Sequence, residues 1–218
     1  MSVAVMTTSA QNDVLHYNRP ALFFEEALPI GNGNLGAMVY GGVNEEKLSL
    51  NDITLWTGEP DHAVWSKDAY KAIPSIRESL DKEDYKTADA LQRNVQGHYS
   101  ESYQPLGTLT VSNVCSGQLD ESDETAMGRI GYERSLDISS AVAGVKYSMS
   151  GITDVRYFAS APDSVIVMRI SDQSVSNAKG GATRVFSYHC QLPHTVKAED
   201  NELIIDGYAA YHSMPSYT

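Results

Sequence analysis

The sequence contains little cysteine: Cys115 and Cys190 are the only two in 218 residues. Two cysteines cannot form a disulfide framework, and they are too few for a structural zinc site built on thiolates. Both lie in segments with strand-like alternation. The pattern therefore favours buried free thiols over a single bridge between them, although the bridge remains the alternative.

Basic residues and long apolar runs are also scarce. The chain has 16 Lys and Arg against 28 Asp and Glu, a formal net charge of −12. A surface of this sign repels phosphate backbones, so nucleic acid is excluded as an expected partner. No stretch approaches the roughly 18 apolar residues that a membrane-spanning helix needs. The hydrophobic content of 42% is nevertheless enough for a folded core.

Glycine is concentrated near the start of the chain, where Gly31, Gly33 and Gly36 match the G-x-G-x-x-G pattern of dinucleotide-binding loops. That loop binds a pyrophosphate only when a strand precedes it and a helix follows it. The residues after Gly36 show no helical period and instead form a β-like run. The segment therefore indicates a glycine turn followed by short strands, not a nucleotide site.

Strand-like segments recur at about ten-residue intervals after residue 97, which is typical of all-β proteins. Between residues 66 and 97 the apolar spacing becomes helical. Pro74 either starts a second short helix or kinks the first, and Asp84 is a candidate helix cap. The sequence thus predicts an all-β fold, a large β-sandwich with a short helical insertion at about 66–97.

Several local features carry expectations of their own. The apolar triplet 22–24 is expected to be tucked into the core. Residues 116–128 and 171–181 are expected to be exposed loops. The acidic run 120–124 lacks the glycine offset of an EF-hand calcium loop, which favours a solvated loop over a metal site.

The opening stretch, ALPIGNGNLGAMVYGGVNEEKLSLNDITLWTGEP, resembles the N-terminal domain of glycoside hydrolase family 95, the α-L-fucosidase-like enzymes. Segments 103–107, 132–138, 158–163 and 165–170 agree with the same family in the same order. The resemblance covers roughly residues 19 to 206, and it implies that the sandwich is of the supersandwich type.

The resemblance also implies a function. The complete enzyme hydrolyses terminal α-L-fucosyl or related glycosidic bonds, and its catalytic residues lie in a helical (α/α)-barrel C-terminal to this domain. This chain is accordingly expected to be inactive alone, without catalytic residue, metal or cofactor. Its partners are the barrel, which it supports and whose substrate entrance it shapes, and a fucosylated oligosaccharide. A stand-alone carbohydrate-binding module is the alternative.

Five residues are candidates for contact with the substrate or the barrel: Asn32, Asn34, Asn51, Asp52 and Trp56. The residues lie in two segments, the glycine-rich loop 30–36 and the segment from Asn51 to Pro60. The resemblance implies that both segments face the barrel, so we expect them to form one surface. Trp56 suits a stacking platform for a sugar ring, but a tryptophan in an apolar run more often fills a core. Asn34 stands where the family usually has Arg, and Ile53 where a polar residue is common.

The two ends of the chain complete the predictions. Residues 1–11 are interpreted as a disordered tail or the remnant of a secretory signal, and residues 12–218 as one sandwich domain truncated at its C-terminal end. The remnant favours a periplasmic or extracellular location, with a cytoplasmic one left open. A sandwich without closing strands has an open sheet edge, which favours a homodimer over a tail that folds back.

Overall fold

The computed structural model describes residues 13–58, 68–96, 101–114, 118–149, 151–174 and 183–210. The predictions for residues 1–11, Cys115 and Pro60 lie outside these ranges. The described chain divides into two compact units, Met1–Leu55 with Pro105–Tyr208 and Trp56–Gln104 with Ala209–Thr218. Within the described ranges, no helix is long and apolar enough to cross a membrane.

The first unit consists mainly of antiparallel strands. These are β1 (Val14–Tyr17), β2 (Leu28–Gly31), β3 (Leu35–Val39), β4 (Glu45–Asp52), β5 (Gly107–Asn113), β6 (Glu133–Asp137), β7 (Val142–Ser148), β8 (Gly151–Ser160), β9 (Val165–Ser174), β10 (Arg184–His189), β11 (His194–Glu199) and β12 (Glu202–Gly207). One five-stranded sheet has the order β1-β6-β7-β8-β9 and a second has the order β10-β5-β4-β3-β2, while β11 and β12 form a separate hairpin. The predicted all-β sandwich is confirmed.

The core lies between the two five-stranded sheets because alternate side chains of each strand point inward. Leu28, Val39 and Leu48 come from the second sheet, and Val145 and Tyr157 from the first; each is 2% exposed or less. Burying one such aliphatic side chain stabilises a fold by about 1.5–3 kcal/mol, so these positions dominate the stability of the unit.

The helical insertion lies where the sequence predicts it, in the second unit. A 3₁₀ turn at Ala69–Ala72 leads into α1 (Ile73–Asp81), and α2 (Tyr85–Gln92) follows. Pro74 lies in the first turn of α1, where its missing N–H costs no helical hydrogen bond. The Asp84 side chain accepts a hydrogen bond from the Thr87 amide at 3.1 Å, so the predicted N-cap is confirmed.

The two predicted loops are wrong in part. A short helix, α3 (Glu124–Arg129), lies inside the first of them and buries Met127 completely. Asp123 caps this helix by accepting from the Thr125 amide at 2.8 Å. In the second loop, residues 171–174 extend strand β9 and pair with residues 151–154 of β8.

The expectation that the triplet Leu22, Phe23 and Phe24 fills the core is also wrong, since their exposed fractions are 44%, 64% and 54%. The reason is an ion pair that fixes the segment. The Arg19 guanidinium contacts both oxygens of the Glu26 carboxylate, at 3.1 and 2.6 Å. The Glu26 carboxylate in turn accepts the Leu22 amide at 2.9 Å, so the triplet lies on a closed turn outside the sandwich.

Cys190 carries a free thiol and lies just after strand β10. Its side chain is partly exposed, so the expected full burial of this cysteine is wrong. The strand-like alternation that suggested burial ends at His189, one residue earlier.

Candidate functional site

The glycine-rich turn is built by a side chain. Asn32 lies between β2 and β3, and its side-chain oxygen accepts the amides of Asn34 and Leu35 at 3.0 and 2.8 Å. Its side-chain nitrogen donates to the Ser160 carbonyl oxygen at the end of β8, at 2.8 Å. Asn32 therefore closes a turn and ties the two sheets together, while Gly33 beside it adopts the left-handed conformation at φ 95°.

The second predicted segment lies directly beside this turn. In the β3–β4 pair, Gly36 is opposite Asn51 and Leu35 is opposite Asp52. The Ile53 amide continues the pairing by donating to the Asn34 carbonyl oxygen at 2.9 Å. The structure therefore brings four of the five predicted site residues to one end of the second sheet.

The Asp52 side chain is also hydrogen-bonded to its own chain. One oxygen of its carboxylate accepts both the amide and the hydroxyl of Thr54, at 2.8 and 2.7 Å. These bonds hold the pKa of Asp52 below its usual range. Asn34 and Asn51 are exposed. The end of the sheet thus presents two amides and an ionised carboxylate, a set that suits hydroxyl groups.

The fifth residue, Trp56, belongs to the second unit. Its side chain is 48% exposed, so the interpretation of Trp56 as a core residue is wrong. A single antiparallel bridge pairs it with Tyr103, and the two rings meet edge to face with centroids 5.3 Å apart. The buried hydroxyl of Thr57 holds this bridge by donating to Glu101 at 2.7 Å and accepting the Ser102 amide at 2.9 Å.

A buried carboxyl group, not anticipated from the sequence, lies inside the sandwich. Glu46 on β4 is 4% exposed. One of its oxygens accepts the amides of Gly41 and Lys47 at 2.9 and 3.0 Å, and the other accepts the Tyr157 hydroxyl at 2.7 Å. Burial raises the pKa of Glu46 to about 7, because the charged form loses its hydration and these hydrogen bonds compensate only in part.

A buried guanidinium lies in the same core. Arg134 on β6 is 1% exposed and donates to the carbonyl oxygens of Arg19 and Glu26, at 3.3 and 2.8 Å. Its charge also lies over the Tyr17 ring, 4.5 Å from the centroid. Burial lowers the pKa of Arg134. The neighbouring Tyr132 donates its hydroxyl to the Gly41 carbonyl oxygen at 2.6 Å.

These groups do not form a glycosidase centre. Glycosidases need an accessible proton donor beside the scissile bond, and usually a second carboxylate across it. Glu46 has the pKa of a general acid, yet both oxygens are occupied inside the core. Asp52 is accessible, but its lowered pKa keeps it ionised and unsuited to donate a proton. Among the described residues, no cluster of three His, Cys, Asp or Glu side chains could bind a metal ion.

The acidic run 120–124 was predicted to be a solvated loop. Two of its carboxylates instead accept hydrogen bonds from the protein's own backbone. One oxygen of Glu121 accepts the amides of Val43 and Asn44, at 2.8 and 2.6 Å. Asp120 accepts the amide and hydroxyl of Ser122. Both carboxylates therefore stabilise turns of the first unit.

Comparison with known proteins identifies the family of this domain. The model of the family described as glycosyl hydrolase family 65, N-terminal domain, matches residues 15–216. The chain belongs to this family. The resemblance to family 95 is thus supported at the level of a glycoside hydrolase N-terminal domain, and family 95 itself remains a prediction.

Curated relatives of the domain are named as fucosidases. Alpha-L-fucosidase 2 of Arabidopsis thaliana is 30% identical over 204 residues, which cover 92% of this chain and 23% of that protein. Probable alpha-fucosidase A of Aspergillus niger is 35% identical over 160 residues, covering 70% and 18%. The same-named protein of Aspergillus oryzae is 26% identical over 176 residues, covering 77% and 22%. The domain thus spans about a fifth of the length of these relatives.

Proposed function

We propose that this chain is the non-catalytic N-terminal domain of a fucosidase-like glycoside hydrolase of the family 95 type. The complete enzyme hydrolyses terminal α-L-fucosyl or related bonds, and this domain supports its catalytic helical barrel and shapes the substrate entrance. The observation that carries the proposal is the alignment of 92% of the chain with the alpha-L-fucosidase 2 of Arabidopsis thaliana. We also propose a periplasmic or extracellular location, which the apolar, small-residue N-terminus favours.

The end of the second sheet is the surface that we assign to the entrance. Asn34, Asn51 and Asp52 lie there side by side, and their amide and carboxylate groups can exchange hydrogen bonds with sugar hydroxyls. Asn32 fixes the turn from which Asn34 projects. The role of these residues is therefore to position a substrate or the barrel, without a part in bond cleavage.

The chain alone is expected to release no product from aryl α-L-fucosides or fucosylated oligosaccharides. The reason is that Glu46, a carboxyl group whose pKa burial raises to about 7, is enclosed by the core. Product release is measured by absorbance and by chromatography, with the chain at high micromolar concentration. Turnover that disappears in Asp52→Asn or Glu46→Gln, in protein that remains folded, contradicts the non-catalytic assignment.

A second candidate function, carbohydrate binding, is favoured by the exposure of Trp56 and Tyr103. Replacement of Trp56 by Ala is expected to weaken binding of a fucosylated oligosaccharide by about tenfold or more, because the ring face supplies most of the contact area. Titration calorimetry measures the affinity. Tyr70→Ala is the matched control, since Tyr70 is also exposed (64%) in the same unit. Equal affinities of all three proteins eliminate Trp56 as a platform.

An open sheet edge also remains a basis for self-association. Phe186 of the edge strand β10 is paired with the buried Val111, so it lies on the inner side of its sheet, yet it is 53% exposed. We propose that a second copy of the chain covers this edge.

A further inference from the structure

A groove of about 250 Å³ lies in the first unit, away from the predicted site residues. One wall is the backbone and side chains of Ala21 and Leu22, which precede the exposed Phe23 and Phe24. The other wall is the turn between β3 and β4 with the first residues of β4, including Tyr40, Asn44 and Lys47. A groove of this size accommodates a sugar unit, and sites for small ligands are commonly concave and rigid.

The first wall is fixed by charge. The Arg19–Glu26 pair closes the segment, with its shortest contact at 2.6 Å. The buried Arg134 guanidinium binds the carbonyl oxygens at both ends of this segment, those of Arg19 and Glu26. The segment is therefore clamped although its apolar side chains, such as Phe23, are exposed.

The second wall is fixed from inside the sandwich. The Gly41 peptide is bound on both sides, because its amide donates to Glu46 and its carbonyl oxygen accepts from Tyr132. The Glu121 carboxylate binds the next amides of the turn, those of Val43 and Asn44. Burying charged groups is costly. The buried Arg134 holds the first wall of the groove, and the buried Glu46 holds the second.

The two walls are also joined to each other. The Ala21 amide donates to the Tyr40 carbonyl oxygen at 2.8 Å, and the Tyr40 amide donates to the Lys47 carbonyl oxygen at 3.2 Å. The width of the groove is thus fixed by backbone hydrogen bonds. A ligand that enters loses its own freedom but does not have to order the protein, which favours binding.

The lining identifies the class of ligand. Tyr40 and Leu22 supply apolar surface, and the exposed Lys47 ammonium and Glu45 carboxylate, which pair with each other at 3.4 Å, supply donors and acceptors. The Asn44 side chain lines the groove but is bonded to the Leu119 backbone through both its oxygen and its nitrogen. The lining carries two carboxylates, Glu45 and Glu121, and one ammonium, Lys47, so its net charge is negative. This charge disfavours phosphates, sulfates and acidic sugars. A pyranose ring combines an apolar face with neutral hydroxyls and matches this lining.

We propose that this groove binds one sugar unit of a neutral glycan, as a secondary site that holds the substrate chain without cleaving it. The proposal rests on the proposed function for its glycan. Sugar hydroxyls bond with Lys47 and Glu45, and the Tyr40 side chain contacts the ring.

The test is a titration of the ¹⁵N-labelled chain with fucosyl-lactose, followed by amide chemical shifts. We expect saturable changes at the amides of Ala21, Leu22, Asn44 and Lys47, with a dissociation constant in the millimolar range. Lys47→Met, which removes the exposed ammonium and its surface ion pair with Glu45, is expected to weaken binding about tenfold. Tyr40→Ala is expected to do the same, with its fold checked by the unchanged spectrum of other residues.

Phe186→Ala is the control, because Phe186 is an exposed aromatic residue that lies on β10, outside the groove. It is expected to leave the titration unchanged. Absence of saturable changes at the groove amides overturns the proposal, as does binding that both groove variants leave intact. Changes confined to Trp56 and Tyr103 overturn it too and support the stacking platform. None of these outcomes bears on fucoside hydrolysis by the complete enzyme, so failure here is distinct from failure of the proposed function.

Discussion

Replacement of Gly41 by Ala is expected to lower the free energy of unfolding by about 2–5 kcal/mol. Gly41 adopts φ 76°, a conformation that costs a residue with a Cβ about 1–2 kcal/mol. An added Cβ would also lie 2.6 Å from both the Arg134 Cδ and the Tyr132 hydroxyl oxygen. Both neighbours are buried and hydrogen-bonded, so relieving the overlap costs about another 1–3 kcal/mol. Urea denaturation followed by circular dichroism measures the loss.

Gly33→Ala is the matched control for this substitution. Gly33 also has a positive φ, 95°, but no atom lies within 4 Å of the position that its Cβ would occupy. This variant is expected to lose only the conformational part, about 1–2 kcal/mol. The difference between the two variants therefore measures the packing of Gly41 against the buried cluster. Equal losses in the two variants contradict a tightly enclosed turn.

Replacement of Glu46 by Gln is expected to remove a pH dependence of stability. The pKa of Glu46 is raised from 4.5 to about 7 in the folded chain. Between these two values the folded chain keeps a proton that the unfolded chain has released, so raising the pH favours unfolding. The wild-type protein should accordingly lose about 3 kcal/mol from this group as the pH rises from about 4.5 to about 7.

The Gln side chain preserves the contacts while removing the ionisation. Its oxygen can accept the Gly41 and Lys47 amides, and its amide can donate to the Tyr157 hydroxyl oxygen. Urea denaturation at a series of pH values between 5 and 8 should show the variant gaining stability relative to the wild type as the pH rises. Glu45→Gln, an exposed carboxylate on the same strand, should follow the wild-type profile. Parallel curves for Glu46→Gln and the wild type rule out a buried ionisable group.

Strand positions and helix caps were largely predictable because local patterns determine them. Pro74 and Asp84, which lie at the starts of α1 and α2, indicated where the helical insertion lies. Asp200, which adopts φ 51°, lies in the turn that joins β11 to β12. One surface was predicted for residues 30–36 and 51–60. The hairpin β3–β4 brings Asn51 and Asp52 beside the glycine turn, whereas Trp56 belongs to the second unit.

The buried polar groups were missed although the sequence contains a signal for them. Glu46 is in phase with Leu48 and Leu50, so strand alternation places it on the core side. Arg134 is likewise in phase with Tyr132 and Leu136. No prediction was made for these two charged residues, because alternation alone does not show which distant groups satisfy them.

The exposed triplet 22–24 and helix α3 were mispredicted for a related reason. The exposure of Phe23 depends on the Arg19–Glu26 pair and on Arg134, a residue more than a hundred positions away. Helix α3 has a recognisable cap in Asp123, but its one buried side chain, Met127, packs against strands that are distant in sequence. Tertiary contacts determine the exposure of the triplet and the formation of α3. Local sequence patterns do not contain the information about these contacts.

The central claim, that this chain is a non-catalytic part of a fucosidase-like hydrolase, is tested most directly by turnover of an aryl α-L-fucoside. The complete gene product that contains this chain is compared with the chain alone at equal molar concentration. The account predicts fucose release by the complete product and none by the chain alone. Asp52→Asn is expected to leave the kcat of the complete product unchanged and to affect only its affinity for the substrate. A folded complete product without α-L-fucoside turnover, or turnover by the isolated chain, would contradict the account.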